Sequence, residues 1–166
     1  MTCPSRRSTL LTASAALLAG CGFELRQTQP LPMRSIALVG FARHSALERA
    51  LKQALDRAGV LVRDNPAQAE VVLDSLGDAR ERSVAASTAA GQVREVTLRV
   101  RLRFRAATPQ GRLLLAPADL LLTRDMSYNE TAALAKQQEE ALLYSAMEDD
   151  IVAQVLRRLV SVKVTG

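Results

Sequence analysis

The chain is poor in the residues on which most enzyme and metal sites depend. Its 166 residues include one histidine, two cysteines and no tryptophan, and aromatic side chains make up only 3%. With so few Cys and His residues there is no cluster of the kind that holds zinc, and the sequence has no glycine-rich phosphate loop. The single histidine, His44, precedes a predicted helix and is expected to be an exposed residue near its start. We therefore predict that the protein is not an enzyme and that it carries no cofactor and no metal.

A long apolar segment is also missing, and one short apolar run lies at the amino terminus. Residues 10–19 fall well short of the ~20 residues that span a bilayer, but they fit the ~7–15-residue core of an export signal. Two arginines precede this run, and it ends in Leu18-Ala19-Gly20-Cys21, the pattern of a lipobox. We predict that residues 1–20 are a signal peptide and that Cys21 is the lipidated first residue of the mature chain.

Two alternatives remain for this segment. An ordinary secretory signal followed by an unrelated cysteine is disfavoured, because the lipobox lies at the right distance from the arginines and the apolar run. Arg6-Arg7 resembles the start of a twin-arginine export signal. Thr9, however, occupies the position where such a signal usually has an aromatic residue, so general export is favoured.

Lipidation of Cys21 leaves the mature chain without a free thiol, because Cys3 is removed with the signal. Two or three acyl chains, at ~0.8 kcal/mol per buried CH₂, give a stable anchor in outer-membrane lipid. Gly22 stands where an aspartate would favour retention in the inner membrane, so we predict the outer membrane, with the domain on its periplasmic side. Cleavage removes two arginines and no acidic residue, which lowers the formal net charge from +5 to +3. Neither this charge nor the compartment suggests nucleic acid as a partner.

Residues 21–33, which include Pro30 and Pro32, are predicted to be a lipidated tether, and residues 34–164 a single α+β domain. Ser45 and Glu48 have the spacing of a capping box at a helix start, and Gly59 is placed to end that helix. Hydrophobic period and turn residues predict the other segments. A strand is expected over 34–40, an interrupted strand over 60–77, and a loop or irregular hairpin turn over 83–91. A strand over 96–105 is followed by its antiparallel partner over 113–126, with a bulge or break near Pro117 and Asp119, and by a long helix over 131–160. The expected fold is a four-stranded, mostly antiparallel sheet with two helices packed on one face.

The strand over 96–105 alternates between apolar residues and a ladder of arginines. Its apolar positions are Val96, Leu98, Val100, Leu102 and Phe104, and its polar positions are Thr97, Arg99, Arg101, Arg103 and Arg105. Neighbouring arginines about 7 Å apart repel by roughly 0.6 kcal/mol in water, which a stable domain tolerates. The ladder is therefore either a solvated sheet face or a contact surface for a partner or anionic lipid. The arginine fork suits phosphate and carboxylate groups.

Five carboxylates follow on the last predicted helix, at Glu139, Glu140, Glu148, Asp149 and Asp150. Acidic side chains on a helix usually form a solvated face. No nucleophile or base accompanies them in the sequence, so we expect them to be exposed and not catalytic.

Several short patches, in order along the chain, resemble one known family. They are Cys21-Gly22-Phe23-Glu24-Leu25-Arg26, Ala58-Gly59-Val60, Gly91-Gln92, Tyr128-Asn129, Ala133-Leu134-Ala135-Lys136 with Glu139, Met147, and Leu156-Arg157-Arg158-Leu159. Together they resemble the LptE family of lipopolysaccharide (LPS) assembly lipoproteins, the small partners of the outer-membrane LPS-assembly barrel (LptD-like). The resemblance covers nearly the whole chain, and Glu24 departs from the histidine that the family usually has.

The resemblance implies a two-helix, four-stranded α+β fold that sits inside the barrel as a plug. It also implies direct LPS binding through basic residues. Lys136 falls on the matching motif, whereas two other basic positions of the family fall on Ala89 and Asp150. Arg94 or the arginine ladder would then have to substitute. The candidate LPS-binding residues are Lys136, Arg94, Arg99, Arg101 and Arg103.

From this we predict an outer-membrane lipoprotein that plugs the LPS-export β-barrel, assists its assembly, and binds LPS during insertion into the outer leaflet. The main alternative is an accessory lipoprotein or chaperone of another outer-membrane assembly complex. A periplasmic hydrolase and a purely structural tether are further alternatives, but no residue pattern supports a hydrolase.

Overall fold

The computed structural model describes residues 30–163. The predicted signal peptide, the predicted lipidation site Cys21 and most of the predicted tether lie outside these residues. Within residues 30–163, no helix is both long enough and apolar enough to cross a bilayer.

The first part of the body is a strand followed by a capped helix. Strand β1 spans Ser35–Val39 and helix α1 spans Ala46–Arg57, with Ser45 as its N-cap. The Ser45 Oγ accepts a hydrogen bond from the Glu48 backbone N at 3.2 Å, which satisfies a donor left free at the helix start. Helix α1 buries Leu47, Leu51 and Leu55 on one face. The predicted start and end of this helix are confirmed, and Gly59 lies just beyond it with a φ of 75°.

Four further strands and one long helix complete the body. They are β2 (Leu61–Val62), β3 (Val71–Ser87), β4 (Val93–Ala107), β5 (Leu113–Ser127) and α2 (Ala133–Val160). The sheet order is β2-β1-β3-β4-β5, with β1 parallel to β2 and β3, and the remaining pairs antiparallel. The α+β prediction is confirmed, but the sheet has five strands and not four. The additional strand is β2, whose two residues form a separate edge strand because their backbone pairs with β1.

The second difference concerns the segment predicted as a loop over 83–91. Strand β3 continues to Ser87, and only the tip between Thr88 and Gln92 turns. Pairing with β4, which shifts register beside Gly77 and again near Ala86, holds this Ser- and Ala-rich stretch in the sheet against its local composition. The hairpin between β4 and β5 turns in the same way, since Thr88 and Thr108 each accept a backbone N–H four residues later through their hydroxyl oxygen.

The two helices cover one face of the sheet, and the hydrophobic core lies between the helices and that face. The apolar positions predicted for β4, from Val96 to Phe104, are all fully buried there. Helix α2 crosses β4 and β5 on its return, but its buried residues begin only at Tyr144. We call the end of the sheet under α1 and residues 151–160 of α2 the proximal half, and the end near the β3–β4 turn, under residues 133–148, the distal half. The opposite, helix-free side of the sheet is called the open face.

Candidate functional site

The first turn of α2 places Lys136 at the distal end of β5. Asn129 caps the short turn before α2, with its Oδ1 accepting the Thr131 N–H at 3.0 Å. The Lys136 Nζ lies 2.8 Å from the Glu139 Oε2 and 3.1 Å from the Ser127 Oγ. Its side chain is only 19% exposed. An anion that binds Lys136 must therefore compete with Glu139.

Arg94 reaches the same end of the molecule from β4. Its backbone oxygen accepts the Tyr128 N–H at 2.8 Å, and Ser127 pairs in register with the adjacent Glu95. The Arg94 side chain is exposed. Arg94 and Lys136 thus both border the end of β5, and they are the two candidates that the fold brings into one neighbourhood.

Two arginines outside the predicted candidates connect the distal half of β3 to α2. Arg80 pairs with Glu148, and Arg82 pairs with Glu140 at 3.2 Å. Their guanidinium carbons lie 5.0 Å from the Tyr144 ring and 5.3 Å from the Tyr128 ring, respectively, within the range of cation–π attraction.

The paired carboxylates correct the prediction that the acidic residues of the last helix are all solvated. Glu148 is 5% exposed and Glu140 is partly buried, because each accepts an arginine from β3. The alternation of Asp78, Arg80, Arg82 and Val84 on the helix side was a usable signal. It was missed because the strand was expected to end near Gly77.

Tyr144 fixes the middle of α2 to β3. Its hydroxyl donates a hydrogen bond to the Glu81 backbone oxygen at 2.8 Å. Burial, and then the nearby Glu140 carboxylate, raise the pKa of the Tyr144 phenol above its ordinary value. The side chain therefore stays a neutral donor at physiological pH, as this contact requires.

The arginine ladder lies on the open face, and most of it is engaged by other side chains. Arg101 donates to Asp119, with an Nε–Oδ1 distance of 3.0 Å. This hydrogen bond holds the pKa of the Asp119 carboxyl below its usual range and raises that of the Arg101 guanidinium. Arg105 donates to Asp74 at 2.9 Å. Arg99 donates to the Ser83 hydroxyl at 3.2 Å.

Arg103 differs from the rest of the ladder. It lies opposite Gly77 on β3 and Asp119 on β5, but Asp119 is already bound by Arg101. Five carboxylates share this face with the four arginines, namely Asp74, Glu81, Glu95, Asp119 and Asp125. The mutual repulsion of the arginines is therefore offset by neighbouring acids.

The five candidate residues do not form one site. Lys136 and Arg94 border the distal end of β5, while Arg99, Arg101 and Arg103 project from the open face. Lys136 contacts Ser127, whereas Arg99, the nearest ladder residue, pairs with Thr123, four residues or about 13 Å away along β5. The ladder and the distal pair are separate surfaces.

His44 lies in a cleft of about 270 Å³ that Arg49, Asp78, Arg80 and Glu148 also line. It is exposed, as expected, and its backbone oxygen accepts a hydrogen bond from Arg49 at 2.7 Å. Asp78 accepts the Ala42 N–H at 2.8 Å, and Glu148 accepts Arg80. The cleft residues are thus engaged with one another. Among residues 30–163 there is also no group of three or more His, Cys, Asp or Glu side chains that could hold a metal.

Comparison with known proteins identifies relatives over most of the chain. Residues 33–159 match the family described as LptE, Lipopolysaccharide-assembly. The LPS-assembly lipoprotein LptE of Yersinia enterocolitica is 26% identical over 156 residues, which cover 92% of this chain and 74% of that protein. The protein of the same name from Pectobacterium atrosepticum is 26% identical over 161 residues, covering 95% and 86%.

Solved structures show the same fold. Lipoprotein B from Nitrosomonas europaea has a TM-score of 0.70 and 25% identity, and the match covers 84% of this chain and 91% of that one. A minor lipoprotein from Acinetobacter baumannii has a TM-score of 0.63 and 25% identity, covering 80% and 94%.

Proposed function

The chain belongs to the LptE family and has a role in LPS assembly. We propose that it is an outer-membrane lipoprotein that plugs the LPS-export barrel, helps that barrel assemble and binds LPS. The match over residues 33–159 carries this proposal. It covers nearly all of the described body.

The chemistry of the described surface agrees with a role that depends on fit and charge. The charged groups in the cleft and on the open face are mostly engaged with one another, and no nucleophile–base pair is apparent among them. Such surfaces suit recognition, in which complementary charges set orientation and specificity. They do not suggest turnover of a substrate.

For LPS we propose the distal end of β5, which Lys136 and Arg94 both border. The family resemblance implies a role for Lys136, and Arg94 is an exposed cation on the neighbouring strand. Phosphate groups of LPS would replace Glu139 as the partner of Lys136, because charge-assisted hydrogen bonds to phosphate are strong. Arg103 is the ladder residue least engaged by its neighbours, but it lies on the open face and outside this proposed site.

Anchoring through Cys21 and location at the periplasmic side of the outer membrane are part of the same proposal. Intact-mass measurement of the native protein tests the anchor. We expect a mature chain that begins at Cys21 and carries two or three acyl chains. An unmodified amino terminus would contradict it.

The barrel partnership is tested by detergent extraction of the lipidated chain followed by affinity purification. We expect a large outer-membrane β-barrel to co-purify in a one-to-one ratio. Recovery of the chain without a barrel, under conditions that keep other membrane complexes intact, would refute the partnership.

Depletion distinguishes this function from that of a general chaperone of outer-membrane assembly. Loss of an LPS-export component should remove newly made LPS from the outer leaflet while most other barrels still assemble. Loss of many unrelated barrels with normal LPS export would favour the chaperone alternative.

A further inference from the structure

A groove of about 580 Å³ lies between α1 and α2. Its volume is in the range of clefts that hold ligands. Small and apolar side chains dominate its lining, with one charged residue from each helix: Pro30, Ala54, Arg57, Ala58, Asp149, Val152, Ala153 and Leu156. The groove is therefore an apolar surface with room for a segment that residues 30–163 do not supply.

Pro30, the first described residue, is itself part of the lining of this groove. Just after it, Leu31 packs against the hydrophobic core and Met33 is 4% exposed, so the chain is already held to the body where it reaches the groove. We call residues 22–29, the part of the predicted tether between Cys21 and Pro30, the outer tether. Because the outer tether starts at the groove, its effective concentration there is of millimolar order, which favours it over a separate partner.

The length and composition of the outer tether suit the groove. The groove runs about 10 Å along α2 from Leu156 to Asp149, at 1.5 Å per residue. A chain spans at most ~3.3–3.6 Å per residue, so Leu25 can lie up to about 18 Å from Pro30 and can be seated anywhere along the groove. The large apolar side chains of the outer tether are Phe23 and Leu25.

Asp149 is the one carboxylate of α2 that has no basic partner among residues 30–163. The other four acidic residues of the helix each pair with a basic side chain: Glu139 with Lys136, Glu140 with Arg82, Glu148 with Arg80, and Asp150 with Arg124. Asp149 and Arg57 are both exposed and line the groove without pairing with each other. The outer tether carries Arg26 and Glu24, which are opposite to them in sign. A lipid acyl chain would offer Asp149 no charge.

We propose that the outer tether docks in the groove between α1 and α2, with Phe23 and Leu25 on its apolar lining and Arg26 paired with Asp149. An undocked tether over residues 21–29 would let the body move up to about 30 Å from the membrane and rotate freely. Docking holds the helix layer close to the acyl chains and so fixes the orientation of the body. The docking stands on the groove alone, whereas its effect on orientation rests on the proposed function, since it requires the lipid at the start of the mature chain.

Disulfide capture in the full mature chain measures where the outer tether lies. Gln27→Cys is combined with Ala153→Cys in the groove or, as the matched control, with Ala67→Cys. Ala67 is an exposed alanine in the short turn over Pro66–Gln68, which contacts β1 but lies outside the groove. Under mild oxidation, capture in the groove should be about tenfold faster than capture at the control position, because docking raises the local concentration of the thiol. Equal rates would overturn the inference.

The proposed ion pair gives a second test, which a nonspecific apolar contact would not pass. Arg26→Glu should lower the preference for the groove about threefold or more, because repulsion replaces the attraction to Asp149. Combining Arg26→Glu with Asp149→Arg should restore the preference. A preference that Arg26→Glu leaves unchanged, or that the exchanged charges do not restore, would overturn the proposed docking. Thermal unfolding of each variant verifies that it is folded.

Capture is measured both in the lipidated chain and in a Cys21→Ser chain without the signal peptide, which separates this inference from the proposed function. Preference for the groove in the Cys21→Ser chain that is lost in the lipidated chain would assign the groove to the acyl chains and overturn the inference. Disulfides between chains, and not within one chain, would assign it to a second copy and also overturn it. An unmodified amino terminus in the native protein, with preference for the groove intact, would remove the proposed anchor and leave the docking in place.

Discussion

The proximal and distal halves of the sheet are joined to α2 by different forces. In the proximal half, Ile151, Val155 and Leu159 are fully buried against the sheet, and each such side chain contributes about 1.5–3 kcal/mol. In the distal half, α2 is held through Arg80 and Arg82, which reach Glu148 and Glu140. Partly exposed ion pairs contribute much less, with a median of about 0–1 kcal/mol. Helix α2 therefore buries its long apolar row at one end, while at the other end, where β4 is still buried beneath it, it also relies on ion pairs and leaves more polar groups exposed.

The largest effect expected from this difference is on truncation of an apolar side chain. Leu51→Ala removes a fully buried leucine of α1 and should lower the free energy of unfolding by about 2–5 kcal/mol. Val84→Ala, at a 52% exposed position of the distal half, should change it by less than about 0.5 kcal/mol. Denaturant unfolding measures both. Equal losses would mean that the two halves are equally well packed.

A smaller effect is expected at the ion pairs that join the distal half to α2. Glu148→Gln removes a buried carboxylate from Arg80 and should cost about 1–3 kcal/mol. Glu140→Gln, at the more exposed pair with Arg82, should cost about 0.2–1 kcal/mol. Unfolding at low and high salt separates the two cases, since salt screens exposed pairs more. A larger loss for Glu140→Gln than for Glu148→Gln would show that burial does not determine how much these pairs contribute to the free energy of unfolding.

The two hairpin turns should be equivalent, although they lie at opposite ends of the sheet. Thr88→Val and Thr108→Val each remove one hydroxyl that accepts a backbone N–H. Each should cost about 0.5–1.5 kcal/mol, with the same value within error. A clearly larger loss of unfolding free energy for Thr108→Val would mean that side-chain packing in the proximal half also stabilises that turn.

The smallest effect is expected on the open face, at the exposed pair of Arg101 and Asp119. The pKa of Asp119 is lower in the folded chain than in the unfolded chain, where an aspartate titrates near ~3.9. The contribution of this pair is therefore present at neutral pH and is lost as the pH falls from that value through the folded pKa. NMR titration should find Asp119 shifted downward, and Arg101→Gln should return it toward the ordinary value. An unchanged titration in Arg101→Gln would assign the shift to another cause.

Local patterns predicted the elements whose signals lie within a few residues. The Ser45–Glu48 capping box and the alternation over 96–105 gave α1 and the core of β4, because each is decided by neighbouring positions. The length of β3 could not be found in this way, since a register shift beside Gly77 and pairing with β4 decide it.

The candidate site could be predicted only in part, because some of its contacts join residues close in sequence and others join residues far apart. The i,i+3 spacing of Lys136 and Glu139 suggests their ion pair, but no local signal shows that Ser127 lies beside them. The split of the candidates between two surfaces follows from the path of α2 over the sheet. The roles of Arg80 and Arg82 likewise depend on tertiary contacts with Glu148 and Glu140.

The division between a stabilising proximal half and a binding distal half is tested most directly by LPS affinity in two matched charge reversals. Lys136→Glu lies at the distal end, and Arg103→Glu lies on the open face, where Arg103 is the ladder residue least engaged by its neighbours. The account predicts that Lys136→Glu weakens LPS binding about tenfold, the loss of one charge-assisted contact, while Arg103→Glu changes it less than about twofold. A larger loss with Arg103→Glu than with Lys136→Glu would contradict it.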